Sequence, residues 1–260
     1  MQRFLLLIAL VASGCVAPPE APAELDELSV WLFSHHQDED PAAMISGIDR
    51  LADFVDASLE DSLDEDWDIS SLTEETVDDV DDVDRSTDGM VAIAVFTESD
   101  YTVDDAAFAM VGSEIDEVYP DSFSEYERTW DTDHECFLDL SCDRTSASEH
   151  YQAEFPLNLH TISELQNEYV WVEGSERRAM VQRNWLISPP ETNSSLLEVD
   201  EQFHLNMFIE SASGGFVRLQ AAWMIVTQDA VNPVTAVRLV GDNYRTNSET
   251  LDAYLDENAP

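Results

Sequence analysis

Three cysteines occur in this 260-residue chain, and two of them, Cys136 and Cys142, stand close together. Histidines flank the pair, giving His134-x-Cys136-x5-Cys142-x7-His150. That spacing leaves two chemistries open. The thiols can close loop 136–142 as a disulfide, or His134, Cys136, Cys142 and His150 can supply four ligand atoms to a tetrahedral zinc, although the spacing is not a standard zinc one. His35 and His36 lie beside Asp38, Glu39 and Asp40, a set able to bind a metal that an exposed polar helix end explains as well. The acidic stretch 78–88 resembles a calcium loop. An EF-hand reading fails there, because ligands at Asp84, Ser86 and Asp88 with Gly89 in sixth place put Val95 where a bidentate Glu is required. A non-EF calcium site in that stretch competes with a solvated acidic segment. No Gly-x-Ser-x-Gly elbow is present, and His134-Glu135 opens like a zincin motif but meets Leu138 where the second His belongs. Acids are so numerous that pairing two of them for glycoside cleavage carries no information.

Charge removes further reaction classes. The chain has 56 acidic and 11 basic residues, a net −45, and all eleven basic residues are arginine. Without lysine there is no Schiff base, no Ser-Lys dyad and no phosphate-loop lysine, and there is no basic stripe for nucleic acid. Self-repulsion on this scale is relieved by salt, which suits a saline exterior. A genome that disfavours lysine codons would produce the same absence.

The elements that must position these residues follow from periodicity. Residues 16–23, Val-Ala-Pro-Pro-Glu-Ala-Pro-Ala, read as an extended tether. Leu25, Leu28 and Leu32 mark one helix, ended near His35-His36. Asp40-Pro41 starts a second, with Met44, Ile48, Leu51 and Val55 on one face over 41–59. Together, 24–59 form a helical hairpin. Residues 60–89 read as an acidic linker with Leu63, Trp67, Ile69 and Leu72 as anchors and Ser71-Leu72-Thr73-Glu74 as a possible capping box. The remainder, 90–260, reads as an α+β domain. It opens with a buried strand at Met90–Thr97, followed by a helix bearing Phe108, Val111, Ile115 and Val118 that Gly112-Ser113 could split. An antiparallel meander of about five strands comes next, in a sheet of about five to seven. Alternation gives it one apolar face and one polar face, the latter carrying Gln182, Asn184, Gln202, His204, Asn206, Arg218 and Gln220 and expected to be wet. Trp130, Trp171, Trp185 and Trp223 fall on strands, where core packing explains them better than a sugar platform. Asn232-Pro233 suggests a helix start while Val234, Val237 and Val240 favour a strand. Asn247 or Ser248 caps a short last helix with Leu251, Tyr254 and Leu255.

The first fifteen residues carry the address. Arg3, the apolar run Phe4–Val11 and the small residues Ala12-Ser13-Gly14 before Cys15 form a secretory leader too short to span a bilayer. The Ala-Ser-Gly-Cys ending resembles the lipobox of bacterial lipoproteins. That resemblance implies cleavage after residue 14, so that 1–14 is a signal peptide, and it makes Cys15 the acylated N-terminus of a mature chain of net −46 (10 − 56). It also implies attachment to the bilayer of the cell envelope, the outer membrane ahead of the inner. An exported domain meets an oxidising compartment, which favours the Cys136–Cys142 disulfide over zinc.

The order strand, helices, antiparallel meander and C-terminal helix is similar to the helix-grip layout of START-like lipid- and ligand-binding domains, which enclose an apolar cavity between sheet and last helix. Here the last helix looks short for that role. The expected function is that of a lipid-anchored, non-catalytic binding or structural module without a cofactor. Its partner would be a basic protein or a small apolar ligand. A carboxylate- or metal-dependent hydrolase and a carrier of an apolar ligand in a START-like cavity are the alternatives.

Overall fold

Leu25, Leu28 and Leu32 recur at helical spacing and form the buried face of α1 (Leu25–Ser34). Met44, Ile48, Leu51 and Val55 do the same for α2 (Ala42–Ser62), whose start is held by the Asp40 carboxylate accepting from Ala42 N–H at 3.1 Å. The computed structural model describes residues 18–260 except 64, 81–84, 156–158, 194–197 and 228–232, and it leaves undescribed the side chains of 155, 159, 198, 227 and 233–237. The leader, Cys15 and part of the 78–88 stretch therefore lie outside the described residues.

Among the described residues, eight strands make one antiparallel sheet: β1 (Val91–Ser99), β2 (Glu125–Trp130), β3 (Arg144–Phe155), β4 (Leu159–Glu173), β5 (Arg178–Leu186), β6 (Glu191–Thr192), β7 (Glu198–Glu210) and β8 (Phe216–Thr227). Their order is β1-β8-β7-β5-β4-β3-β2, with the two-residue β6 paired to β4. The predicted meander is present as β3-β4-β5-β7-β8, and β1 closes against the last strand. The tight β7–β8 connection needs glycine twice. Gly214 has φ +98°, and a Cβ on Gly215 would sit 2.0 Å from the Ser99 carbonyl oxygen.

Between β1 and β2 the chain forms α3 (Val103–Ala107), a π-helical turn (Phe108–Gly112) and α4 (Ile115–Val118). The break falls at the predicted Gly112-Ser113. Thr102 and Asp105 form a capping box at the start. A single turn, α5 (Glu135–Leu138), follows β2, and α6 (Pro233–Asn258) ends the fold.

Each face of the sheet is covered. On one, α1 and α2 pack on Phe96, Val181, Leu205, Leu219 and Trp223. The described part of 60–89 is not a solvated linker, since Ile69, Leu72, Val77 and Val80 are buried in this same core and Trp67 bridges to Ala94. The capping box there joins Thr73 to Thr76 rather than Ser71 to Glu74. These few apolar anchors outweigh the local charge because the acids between them stay at the surface. Trp171, Trp185 and Trp223 are buried, as core packing required.

On the other face the structure corrects two expectations. The last helix is not short. α6 runs unbroken through Asn247 and Ser248, because Tyr244, Ser248, Leu251 and Leu255 form a buried stripe at helical spacing that outweighs the strand preference of Val240. The polar sheet face is therefore not an open outer surface but is roofed by α6 and flanked by α3, the π turn and α4. A twisted antiparallel sheet gripping a long C-terminal helix is the helix-grip layout. Among the described residues no helix is long and apolar enough to cross a membrane.

Candidate functional site

Period-2 alternation sets Gln182 and Asn184 of β5, His204 and Asn206 of β7, and Arg218 and Gln220 of β8 on the covered face, in neighbouring register positions. They form the floor of a chamber of about 460 Å³ between sheet and α6. Met110, Ile115, Tyr119, Phe123 and Leu165 supply apolar walls, and Tyr244 and Asn247 descend from α6. Asp121, Glu154 and Asn243 also line it and are exposed, so the chamber opens at that end.

The floor is a directed hydrogen-bond row. Arg218 Nε donates to Asn206 Oδ1 at 2.8 Å, and Asn206 Nδ2 donates to Gln182 Oε1 at 2.8 Å. Gln182 Nε2 donates to Asn167 Oδ1 at 2.8 Å and to Tyr169 Oη at 3.1 Å. Every amide presents its oxygen toward Arg218, so the dipoles reinforce one another. From α6, Ser248 Oγ accepts from Arg218 Nη1 at 3.3 Å and from Thr97 Oγ1 at 2.9 Å. The orientation of the Gln220 amide that satisfies both its ends puts its oxygen 3.2 Å from Arg218 Nη2. Phe208 lies under the guanidinium, 4.9 Å from ring centre to Cζ.

His204 sits beside this row. Burial lowers its pKa to about 4, so the ring is neutral at ordinary pH. Gln202 Nε2 contacts its Nε2 at 2.5 Å and Tyr244 Oη its Nδ1 at 2.7 Å. With Gln202 donating to Nε2, the imidazole proton resides on Nδ1 and is donated to Tyr244, which leaves the tyrosine's own proton for another acceptor. Burial also pushes the Tyr244 phenol well above its usual range.

The acids of the chamber do not assemble as a hydrolytic pair. Glu149, the buried one, is occupied by Arg128 at 2.9 Å and Tyr126 Oη at 2.8 Å, while Asp121 and Glu154 are exposed at the mouth.

The residues singled out by sequence lie elsewhere. Cys136 and Cys142 are joined as a disulfide at the α5 turn. With both sulfurs engaged, the His134, Cys136, Cys142, His150 zinc set does not form. His134 stacks on Trp130 at 4.4 Å, and His150 faces Glu164 from β3. No group of three or more potential ligands is clustered among the described residues. His36 is not an exposed helix end. It is fully buried, with Nε2 3.4 Å from the Val181 carbonyl, and burial next to Arg183 and Arg144 holds its pKa well below the usual value. His35 pairs with Asp38 at 2.7 Å. Sequence reasoning found the floor residues as one face of a sheet but not as a site. The signal was their density of amides and one arginine on consecutive strands.

No protein-family model matches this chain, and no curated protein matches it. Solved structures similar to it include Ara h 8.0201 (13% identity, TM-score 0.40, 65% of this chain and 100% of that one). A START superfamily protein from Mycobacterium smegmatis is similar at 10% identity and TM-score 0.38, over 64% and 97% of the two chains. Norcoclaurine synthase from Thalictrum flavum is similar at 12% identity and TM-score 0.41, over 65% and 88%. The helix-grip description rests on this chain's own strand order and closing helix.

Proposed function

We propose that this protein is a ligand-binding module that takes a small molecule into the chamber under α6. The observation that carries this reading is the chamber itself: about 460 Å³ of space with apolar walls over a polar floor. Pockets for small molecules combine these features, an apolar lining with a few placed polar groups in a volume of roughly 300–1,000 Å³. The occupied state of Glu149 favours binding over carboxylate hydrolysis. We further propose that Cys15 is acylated and tethers the module outside the cytoplasm, supported by the composition of residues 1–15. The strongly anionic domain would then be held by its tether rather than by contact with anionic lipid headgroups, and a basic protein would be the fitting macromolecular partner.

The test is a titration of the full chain with the neutral fluorophore N-phenyl-1-naphthylamine. Saturable one-to-one binding is expected, weakened by about tenfold or more in Ala153→Trp, which fills the chamber from β3. Absence of saturable binding, or binding indifferent to that substitution, would refute the reading.

A further inference from the structure

Among the described residues, the buried arginine side chains are matched with acids, with one exception. Arg85 meets Glu201 at 2.8 Å, Arg128 meets Glu149 at 2.9 Å, and Arg183 meets Asp79 and Glu168 at 3.0 Å each. Arg218 is as deeply placed, at 3% exposure, yet among the described residues it has no carboxylate oxygen within 4.0 Å. Asp252, on α6 one turn beyond Ser248, feels its field but accepts from Ser99 Oγ at 2.6 Å instead. Supply is not the reason, since the sequence holds 56 acids and 11 arginines.

Taking a guanidinium out of water costs several kcal/mol unless other groups replace the solvent. Here the replacement is made by neutral groups: the aligned amides of Asn206 and Gln182, the Gln220 oxygen, the Ser248 hydroxyl and the Phe208 ring. They stabilise the charge without neutralising it. Of the five N–H groups of Arg218, three are taken by Asn206, Ser248 and Gln220, leaving two on a side chain that lines the chamber. A planar cation with spare donors matches a carboxylate in geometry as well as charge.

We infer that the chamber's ligand is an organic acid, with an apolar body on the order of 20 non-hydrogen atoms lying on Met110, Ile115, Phe123 and Leu165 and a single carboxylate paired with Arg218. This rests on the ligand-binding reading above and adds the ligand's charge. The molecule's overall field opposes any anion, so selectivity for one has to come from this local cation.

The experiment compares N-phenyl-1-naphthylamine with its 8-sulfonate, the same skeleton with and without an oxyanion, on the full chain at about 0.15 M salt, where the Debye length is about 8 Å. The sulfonate should bind about tenfold tighter than the neutral probe. That ratio should fall toward one in Arg218→Gln and in Asn206→Asp, which places an internal carboxylate where Asn206 Oδ1 now meets Arg218 Nε at 2.8 Å. Circular dichroism reports whether each variant folds. If Arg218→Gln does not, Asn206→Asp, which retains the arginine, decides. A ratio of one or less in the parent, or a ratio unchanged in a folded variant, overturns the anion assignment while leaving the chamber reading intact. Failure of both probes on the parent overturns the chamber reading and this inference with it.

Discussion

At the scale of single residues, His204 and Arg218 show the same polar strand face used in opposite ways. Burial strips His204 of its proton, whereas Arg218 cannot lose its charge and is surrounded by oriented dipoles instead. The histidine has a consequence for stability. Its pKa is about 4 in the folded chain against an ordinary 6.5, so between those values the unfolded chain binds more protons than the folded one. The stability it contributes is complete above pH 6.5 and is lost as pH falls through 4. The ring is partly accessible, so the contribution is discounted to about 1–2 kcal/mol. Urea unfolding of the parent and of His204→Gln at pH 7 and pH 4.5 should show the parent losing that much more. Equal losses in the two chains would contradict it. The spacing of residues in the sequence placed His204 correctly on a polar strand face but could not tell an inner face from an outer one.

At the scale of elements, the α5 turn is the smallest independently fastened piece. Its four helical residues bury Phe137, whose carbonyl accepts from the Trp171 indole N–H at 3.0 Å, and Leu140 just beyond has φ +61°. A helix this short has almost no stability of its own. The Cys136–Cys142 bridge closes it, and by the loop-entropy model this is worth about 2 kcal/mol. The double variant Cys136→Ser/Cys142→Ser should lower unfolding free energy by that amount in chemical denaturation. Unchanged stability would mean that the Trp171 contact and Phe137 suffice to hold the turn. The cysteine pair was legible in the sequence, but its spacing left bridge and zinc site both open, and the preference for the bridge came from the expected oxidising compartment. The length of α6 was not legible, because Val234, Val237 and Val240 argue locally for a strand, and the stripe Tyr244, Ser248, Leu251 and Leu255 is buried only by tertiary packing against β1, β8 and the α3–α4 segment.

At the scale of the whole molecule, charge dominates. A chain of net −45 repels itself and anionic surfaces alike, and three of its few arginines, Arg85, Arg128 and Arg183, are held in buried ion pairs. An anchor separate from the domain is the arrangement this charge calls for. Expressed in a Gram-negative host, the full chain should sediment with membranes and Cys15→Ser should move to the soluble fraction. Equal membrane retention of the two would remove the lipid tether from the proposal.

The amino-acid sequence by itself determined the features that depend on short-range pattern. These are the apolar stripes of α1 and α2, the two-residue alternation of β3, β4, β5, β7 and β8, the paired cysteines and the charge. Such features are legible because helix and strand periods are local properties of the backbone. Tertiary structure alone decided which covered face would be polar, that Ile69, Leu72, Val77 and Val80 would join the core, that α6 would extend over the sheet, and that Arg218 would be buried without an acid. Those outcomes depend on side chains brought together from strands and helices distant in sequence, where burial and hydrogen bonding outweigh local preference.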